Sequence, residues 1–360
     1  MTAASDERFT GTAPVQARHG FDAAALQRWF ERHVDARVGT LRVAQFRGGQ
    51  SNPTFLVEGD SRRYVVRRKP PGELLPSAHA VDREFRVMQA LQGRGVPVPE
   101  VHAVCEDDSV IGSAFYVMAY VDGRVLWDPK LPELPPEERV RIYDEMNHVL
   151  AALHDVDVQA AGLADFGRPG NYIARQVARW TRQYRASETE HVEAMERLIE
   201  WLPEQVPDAT GASVVHGDYR LDNLVFAHDE PRLIAVLDWE LSTLGDPIAD
   251  FAYHCMAWHL QAPFRGLADL DAQGLAAQSL PNEADYLRDY CERRGVPPVP
   301  AAHWNFYMAF NLFRAAGIAQ GIMGRALAGN ASSPHALEAG RQARQLAELG
   351  WQQVRRAGAD

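Results

Sequence analysis

Three polar residues in the middle of the chain have the types and spacing that phosphoryl transfer needs. Asp218 and Asn223 lie in the segment HGDYRLDN between two short apolar runs, and Asp238 follows a third run, fifteen residues after Asn223. Phosphoryl transfer needs a carboxylate that orients the attacking hydroxyl and accepts its proton, and it needs oxygen ligands for Mg²⁺. We predict that Asp218 fills the first role and that Asn223 and Asp238 fill the second. A turn rich in Asp and Asn is the alternative, but it does not predict the aspartate after a neighbouring apolar run.

The order of these motifs resembles the aminoglycoside phosphotransferase and choline kinase group, small-molecule relatives of the protein kinases. The shared features are H-G-D-x-x-x-x-N at 216–223, Asp-Trp-Glu after an apolar run at 237–240, and G-D-P-x-x-D at 245–250. The similarity extends from about Phe46 to Met323. It implies an α+β, two-lobed protein-kinase-like fold with a small β-rich N-lobe and a larger helical C-lobe. It also implies ATP and Mg²⁺ as cofactors, bound between the lobes.

In this group a loop of the N-lobe covers the nucleotide phosphates. The corresponding segment here contains Gly48, Gly49, Ser51 and Asn52. Backbone N–H groups of such a loop bind phosphate oxygens, and the side chains of Ser51 and Asn52 are further donors. Paired glycines are also common in ordinary hairpins, so this signal is weak by itself.

The resemblance also implies a cation for the α- and β-phosphates on the strand-like run at 64–69. Arg67 is the best match by position, and Glu84, 17 residues later, is the acid expected to orient it. Side chains alternate along a strand, so Lys69 shares the face of Arg67 and stays an alternative. A solvated basic strand end is the other interpretation, above all for Arg68.

The run from Phe115 to Gly123 resembles the strand and hinge between the two lobes. The resemblance implies that adenine packs on Met118 and bonds to backbone groups near Ala119 and Val121. Many relatives have Glu at the position of Ala119, a change that backbone contacts would survive. A buried strand is compatible with the same pattern.

The remaining candidate residues belong to the C-lobe. The resemblance implies that His216 and Asp250 brace the catalytic loop. A histidine metal site is not favoured, because His254 and His259 are five residues apart and do not share a helical face. The acceptor pocket is predicted to include His254, Asn311 and Arg314. The last two are embedded in a mostly apolar stretch, for which pocket and core remain equal alternatives.

Two lobes must position these residues. Residues 1–120 are predicted to form the β-rich nucleotide-binding lobe, with 1–20 as a flexible tail, and residues 121–360 the helical lobe with the catalytic loop, metal ligands and acceptor pocket. An antiparallel meander is expected near the start. Helices are expected at about 137–154, 170–185, 188–204, 246–261, 283–294, 302–326 and 334–357, with Ser187 and Glu190 as a capping box for the third.

Composition excludes several classes of protein. The 360 residues include 37 Lys and Arg and 48 Asp and Glu, giving a net charge of −11, which disfavours a nucleic-acid partner. The three cysteines form no CxxC pair, so neither a zinc site nor a redox pair is predicted. The polar N-terminus lacks a secretory signal, and prolines break the one long uncharged run, 295–313. A soluble, cytoplasmic protein is therefore expected, with no membrane partner.

The predicted function is ATP- and Mg-dependent phosphorylation of a hydroxyl on a small-molecule acceptor. Segments 67–72, 238–247 and 311–314 resemble the kinase-like domains found beside acyl-CoA dehydrogenases, which implies a hydroxyacyl-CoA-type acceptor. An aminoglycoside or amino-alcohol kinase is one alternative, and a nucleotide-binding pseudokinase or scaffold is another. HGD and Asp-Trp-Glu stand where a protein kinase has HRD and Asp-Phe-Gly, which disfavours a protein kinase.

Overall fold

The computed structural model describes residues 11–47, 52–70, 80–168, 170–208, 211–262, 264–329 and 335–358. The chain divides into two compact units: Met1–Trp127 with Asp222–Ser242, and Asp128–Leu221 with Thr243–Asp360. The predicted boundary at 120 put residues 222–242 in the C-lobe. They belong to the first unit instead, because their strand Leu224–Phe226 pairs with the short strand Arg124–Val125 and their strand Leu233–Val236 pairs with Leu224–Phe226.

The first unit is built mainly from strands. They are β1 Thr12–Ala13, β2 Arg42–Phe46, β3 Thr54–Glu58, β4 Arg63–Arg68, β5 Val101–Cys105, β6 Phe115–Ala119, β7 Arg124–Val125, β9 Leu224–Phe226 and β10 Leu233–Val236. Its helices are α1 Ala23–His33, α2 Val81–Leu91 and α3 Asp108–Ile111. Within the described residues, six strands form one antiparallel sheet in the order β1-β2-β3-β4-β6-β5. Strands β2, β3 and β4 are the predicted meander, which is confirmed.

One face of this sheet packs on α1. Phe55, Val66 and Val117 are fully buried there against Leu26 and Phe30 of the helix. The Asp22 side chain caps α1 by accepting from the N–H of Ala24. Each large apolar side chain removed from water contributes about 1.5–3 kcal/mol, so this layer is a principal source of the unit's stability. The opposite face carries Arg67 together with the buried apolar residues Val65 and Met118.

The second unit is mainly helical. Its strands are β8 Ser213–Val215 and β11 Thr243–Gly245, and its helices are α4 Pro136–His154, α5 Tyr172–Ser187, α6 Glu193–Trp201, α7 Pro247–Cys255, α8 Ala272–Ala277, α9 Glu283–Arg294, α10 Ala301–Leu327, α11 Ala336–Gly340 and α12 Ala343–Arg356. Helix α10 is largely buried and packs against α5, α7, α11 and α12. In the described part of the chain, every helix is too short or too polar to cross a membrane.

Two sequence predictions about helices were wrong. The capping box at Ser187 does not exist, because Ser187 ends α5 and its hydroxyl donates to the carbonyl of Gln183, while α6 begins at Glu193. The single helix expected over 334–357 is instead two helices, α11 and α12, which are separated by Arg341 and Gln342. At the end of α11, Gly340 packs closely against Met323 in α10. A Cβ atom at position 340 would clash with the Cα and Cβ of Met323.

Candidate active site

The predicted metal ligands lie at one end of a strand pair in the first unit. Leu224 of β9 pairs with Val236 of β10, and the N–H of Leu237 donates to the carbonyl of Asn223 at 2.8 Å. Asn223 precedes β9 and Asp238 follows β10, so the antiparallel pairing brings the two residues to the same edge. Their amide and carboxylate oxygens are hard donors of the kind Mg²⁺ prefers, so the residues fit that ion.

The backbone turns sharply at Asp238. This residue has φ 65° and ψ 62°, a left-handed conformation that costs a non-glycine residue about 1–2 kcal/mol. The buried Trp239 indole donates to the carbonyl of Val236 at 2.9 Å and holds the turn. Backbone strain of this kind is concentrated at functional sites in proteins, where the surrounding contacts maintain it.

A buried arginine joins three acidic residues at this edge. Arg67 of β4 is only 7% exposed, and its Nε lies 3.0 Å from Oε2 of Glu84 in α2. Its Nη2 lies 2.6 Å from Oδ1 of Asp238 and 3.2 Å from Oε2 of Glu240. The structure thus brings Arg67, Glu84 and Asp238 together. Sequence analysis missed Glu240, although its place two residues after Asp238 in Asp-Trp-Glu was a usable signal.

Glu84 is held from two further sides. Its Oε1 accepts from Nδ2 of Asn52 at 3.0 Å and its Oε2 from the hydroxyl of Tyr116 at 3.1 Å. Burial raises the pKa of Glu84, and the charge of Arg67 opposes that rise. Burial disfavours the charged form of Arg67, but the carboxylates of Glu84 and Asp238 raise its pKa overall. The pair therefore depends on both partners, because either charge alone would be buried without compensation.

Arg68 differs from the sequence prediction. It is not a solvated strand end but one of the most buried side chains, and it donates to the carbonyls of Ile111 and His19 at 2.8 and 3.2 Å. Its guanidinium also lies 5.4 and 5.5 Å from the ring centres of Phe21 and Phe55. Alternation along β4 directs Arg68 to the α1 face and Arg67 to the opposite one.

The predicted nucleotide contacts are only partly described. Gly48, Gly49 and Ser51 lie outside the described residues, whereas Asn52 is buried and bonds to Glu84. Met118 and Ala119 are in β6, and Val121 follows it. The N–H of Ala119 donates to the carbonyl of Glu100 and that of Tyr120 to the carbonyl of Arg63, so both of these donors already have backbone partners.

In the second unit, Asp250 of α7 holds the loop that follows β8. Its two carboxylate oxygens each accept a backbone N–H, from His216 and Gly217, both at 2.8 Å, and one also contacts Nε2 of His154 at 3.1 Å. Burial by itself favours the neutral acid, but His154 and the backbone N–H of His216 lower the pKa of Asp250 overall. His216 Nδ1 accepts the N–H of Asp218 at 3.1 Å. The structure thus brings His216 and Asp250 together around the loop that carries Asp218.

Two residues that sequence analysis did not single out contact Asp218. The hydroxyl of Tyr253 in α7 donates to its Oδ1 at 2.6 Å, and Nε of Arg220 lies 3.3 Å from the same oxygen. Tyr253 is one helical turn after Asp250, which was the only sequence signal for it.

The three residues predicted for the acceptor pocket are buried and bond to protein groups. His254 contacts the Tyr219 carbonyl at 3.3 Å and the Tyr286 hydroxyl at 2.9 Å. The other two lie on α10: Asn311 donates to the carbonyl of Ala249 at 2.8 Å, and Arg314 to that of Gly217 at 2.6 Å. These contacts favour a supporting role for all three over direct contact with an acceptor.

A separate cluster with metal-ligating side chains lies on the surface of the second unit. Glu188, His191 and Glu196 are the one group of His, Cys, Asp and Glu with such spacing that the described residues contain. Arg185 already forms ion pairs with both glutamates. The cluster is thus better explained as a surface ion-pair network.

Strand order, helices and site geometry define a protein-kinase-like α+β fold. A thermostable variant of an aminoglycoside phosphotransferase, solved in a ternary complex with ADP and hygromycin B, shares this fold. It is 17% identical with a TM-score of 0.60, over 93% of this chain and 98% of that one. The predicted fold class is confirmed.

The chain belongs to the phosphotransferase enzyme family, whose model matches residues 42–275. A solved structure from Ralstonia eutropha, described as a candidate aminoglycoside phosphotransferase, is 53% identical with a TM-score of 0.85 over 94% of this chain and 99% of that one. Mouse acyl-CoA dehydrogenase family member 10 is 48% identical over 341 residues, 94% of this chain but 32% of the relative. The chain thus spans about a third of that relative, and the predicted resemblance is confirmed.

Proposed function

We propose that the protein is an ATP- and Mg²⁺-dependent kinase that phosphorylates a hydroxyl group of a small molecule. The observation that carries the proposal is the arrangement of Arg67, Glu84 and Asp238 in the first unit. A buried cation set between an orienting glutamate and a metal-ligand aspartate is the arrangement that phosphoryl transfer uses. The ADP bound by the fold neighbour supports a nucleotide as the phosphoryl donor.

In the proposed reaction, an acceptor hydroxyl attacks the γ-phosphorus of ATP. Asp218 orients the hydroxyl and takes its proton as the new O–P bond forms. The bond between the γ-phosphorus and the β,γ-bridging oxygen breaks, and ADP leaves with that electron pair. Asn223 and Asp238 would hold Mg²⁺, which neutralises phosphate charge when bound. Arg67, oriented by Glu84, is the cation for the α- and β-phosphates.

For the acceptor, we propose a hydroxyacyl-CoA-type molecule. The relative named as an acyl-CoA dehydrogenase family member supports this choice, because its similarity covers nearly the whole of this chain.

An acceptor screen tests the proposal. ADP release from Mg·ATP is measured with hydroxyacyl-CoAs, amino alcohols, sugars and aminoglycosides, for the wild type and for Asp218→Asn. We expect release with a hydroxyacyl-CoA, and a loss of at least about 100-fold in kcat for Asp218→Asn, because an amide cannot accept the proton. The affinity for Mg·ATP, measured by calorimetry, should change little.

Each outcome of the acceptor screen leads to a different conclusion. Turnover that survives Asp218→Asn would remove Asp218 as the base. Turnover only with aminoglycosides or amino alcohols would keep the kinase and replace the acceptor. Nucleotide binding without ADP release for any acceptor would favour the pseudokinase alternative.

A further inference from the structure

We propose that Tyr253 is a positioning residue that holds the carboxylate of Asp218 in the orientation needed for transfer. The proposal rests on the function proposed above, in which Asp218 accepts the proton of the acceptor hydroxyl. The contact that carries it is the 2.6 Å hydrogen bond from the Tyr253 hydroxyl to Oδ1 of Asp218.

Side chains of α7 contact four consecutive residues of the loop that carries Asp218, at 216–219. Asp250 accepts the N–H groups of His216 and Gly217, Tyr253 donates to the side chain of Asp218, and His254 contacts the carbonyl of Tyr219. Residues three and four apart lie on the same side of a helix, so these three side chains of α7 form one row. Asp250 and His254 bond to the loop backbone, whereas Tyr253 alone of the three reaches the side chain proposed to do chemistry.

Arg314 fixes the ring of Tyr253. Its guanidinium lies 4.8 Å from the ring centre and donates through Nη2 to the carbonyl of Gly217 at 2.6 Å. Arg314 is 94% buried, since only 6% of its surface is exposed. A cation over an aromatic face is attracted to it, more so when desolvated. The hydroxyl is therefore held toward Asp218 from both ends of the tyrosine, by the ring contact and by its own hydrogen bond.

The hydrogen bond restricts a torsion that is otherwise loose. Rotation of an aspartate carboxylate about χ2 has a broad energy profile, so packing alone seldom fixes it. Burial, together with the charge of Asp218, raises the pKa of Tyr253, so its hydroxyl stays a donor at every working pH. The acceptor hydroxyl thus meets a carboxylate of one orientation, which lowers the cost of reaching the transition state.

The kinetic test uses Tyr253→Phe, which removes only the hydroxyl. We expect kcat to fall about 10-fold while KM for Mg·ATP stays within twofold, because the change affects orientation of the base and not nucleotide binding. The matched control is Tyr143→Phe, since the Tyr143 hydroxyl is also buried and donates at 2.6 Å, but to the carbonyl of Pro129. This control should keep its kcat. A wild-type kcat in Tyr253→Phe, or an equal loss in both variants, would overturn the proposal.

A second measurement needs no acceptor. Urea unfolding of the wild type, Tyr253→Phe, Asp218→Ala and the double variant forms a double-mutant cycle. We expect Tyr253→Phe to lower the unfolding midpoint less in the Asp218→Ala background than in the wild type. Additive shifts would show that the two side chains are not coupled, and would overturn the proposal. If the wild type turns over no acceptor, the proposed function fails, while this cycle still decides whether Tyr253 holds Asp218.

Discussion

At the scale of single residues, Arg67 shows how one side chain can serve several partners. Its Nε is 3.0 Å from Glu84, and its Nη2 contacts both Asp238 and Glu240. A planar guanidinium offers separate N–H groups in fixed directions, whereas a lysine ammonium is a single point of charge. An arginine suits this position of β4 better than a lysine, because a single ammonium cannot contact Glu84 and Asp238 equally well.

Replacing Arg67 tests this reading. We expect Arg67→Lys to weaken Mg·ATP binding about 10-fold by calorimetry, because the lysine would leave Glu84 or Asp238 without its close partner. Lys69→Gln is the control on the same strand, and it should bind nucleotide as the wild type does. A larger loss for Lys69→Gln than for Arg67→Lys would transfer the phosphate-binding role to Lys69.

At the scale of elements, α7 bonds to the loop that carries Asp218, and α10 bonds to α7. Asp246 caps α7 through the N–H groups of Ile248 and Ala249, and it accepts from the Tyr307 hydroxyl of α10 at 3.0 Å. Asn311 and Arg314 follow Tyr307 at helical spacing and bond to α7 and to the loop. A mostly apolar helix thus carries a polar row that fixes its neighbours.

The stability of these contacts should depend on pH through His254. A carbonyl only accepts, so Nδ1 of His254 donates to Tyr219 and Nε2 accepts from Tyr286. Burial lowers the pKa of His254 from 6.5 to about 4. Folding therefore favours the neutral imidazole of His254. Its contribution to the free energy of unfolding is fully present above pH 6.5 and is lost as the pH falls toward 4. The loss reaches about 2 kcal/mol at pH 5.

Urea unfolding at pH 7.5 and pH 5 measures this effect. We expect His254→Gln to lose less free energy of unfolding between the two pH values than the wild type loses. His303→Gln, at an exposed position of α10, should keep the wild-type difference. If His254→Gln shows the full wild-type loss, the acid sensitivity comes from other buried groups, such as His154.

At the scale of the whole molecule, the acidic net charge is compatible with the proposed function, because only a few cations are needed and they can be placed locally. The net charge of −11 does not prevent nucleotide binding, since Mg²⁺ needs carboxylates and Arg67 supplies positive charge where the phosphates are proposed to bind. The residues proposed for nucleotide and metal all lie in the first unit, and the proposed base and its supports lie in the second.

The 360-residue chain should therefore bind Mg·ATP without an added dehydrogenase. A ligand that binds only the folded state stabilises it, by about 2.7 kcal/mol at a concentration 100 times its Kd. We expect a higher unfolding temperature with Mg·ATP than with ATP and a chelator. The Asp238→Asn variant should lose most of that difference. Stabilisation only in the presence of an acyl-CoA dehydrogenase would contradict the expectation.

The sequence by itself determined the family, the fold class and the order of the chemical motifs. Asp218, Asn223 and Asp238 could be proposed as site residues because short motifs are local properties of the chain. The Arg67–Glu84 pair, which the structure shows as an ion pair, was implied by the resemblance to the family. The meander and most long helices could be predicted because periodicity is also a local property.

Only the tertiary structure decided which side chains meet. Tyr253 was missed and Arg68 was assigned to solvent, because a contact across 35 residues or the burial of a cation leaves no local pattern. Glu240 has a local signal in Asp-Trp-Glu, but its partner Arg67 is 173 residues away. Asn311 and Arg314 could have been pocket or core until α10 was seen to bond to α7 and the loop. A residue's type and spacing limit the chemistry available to it, but its partners depend on how distant elements pack.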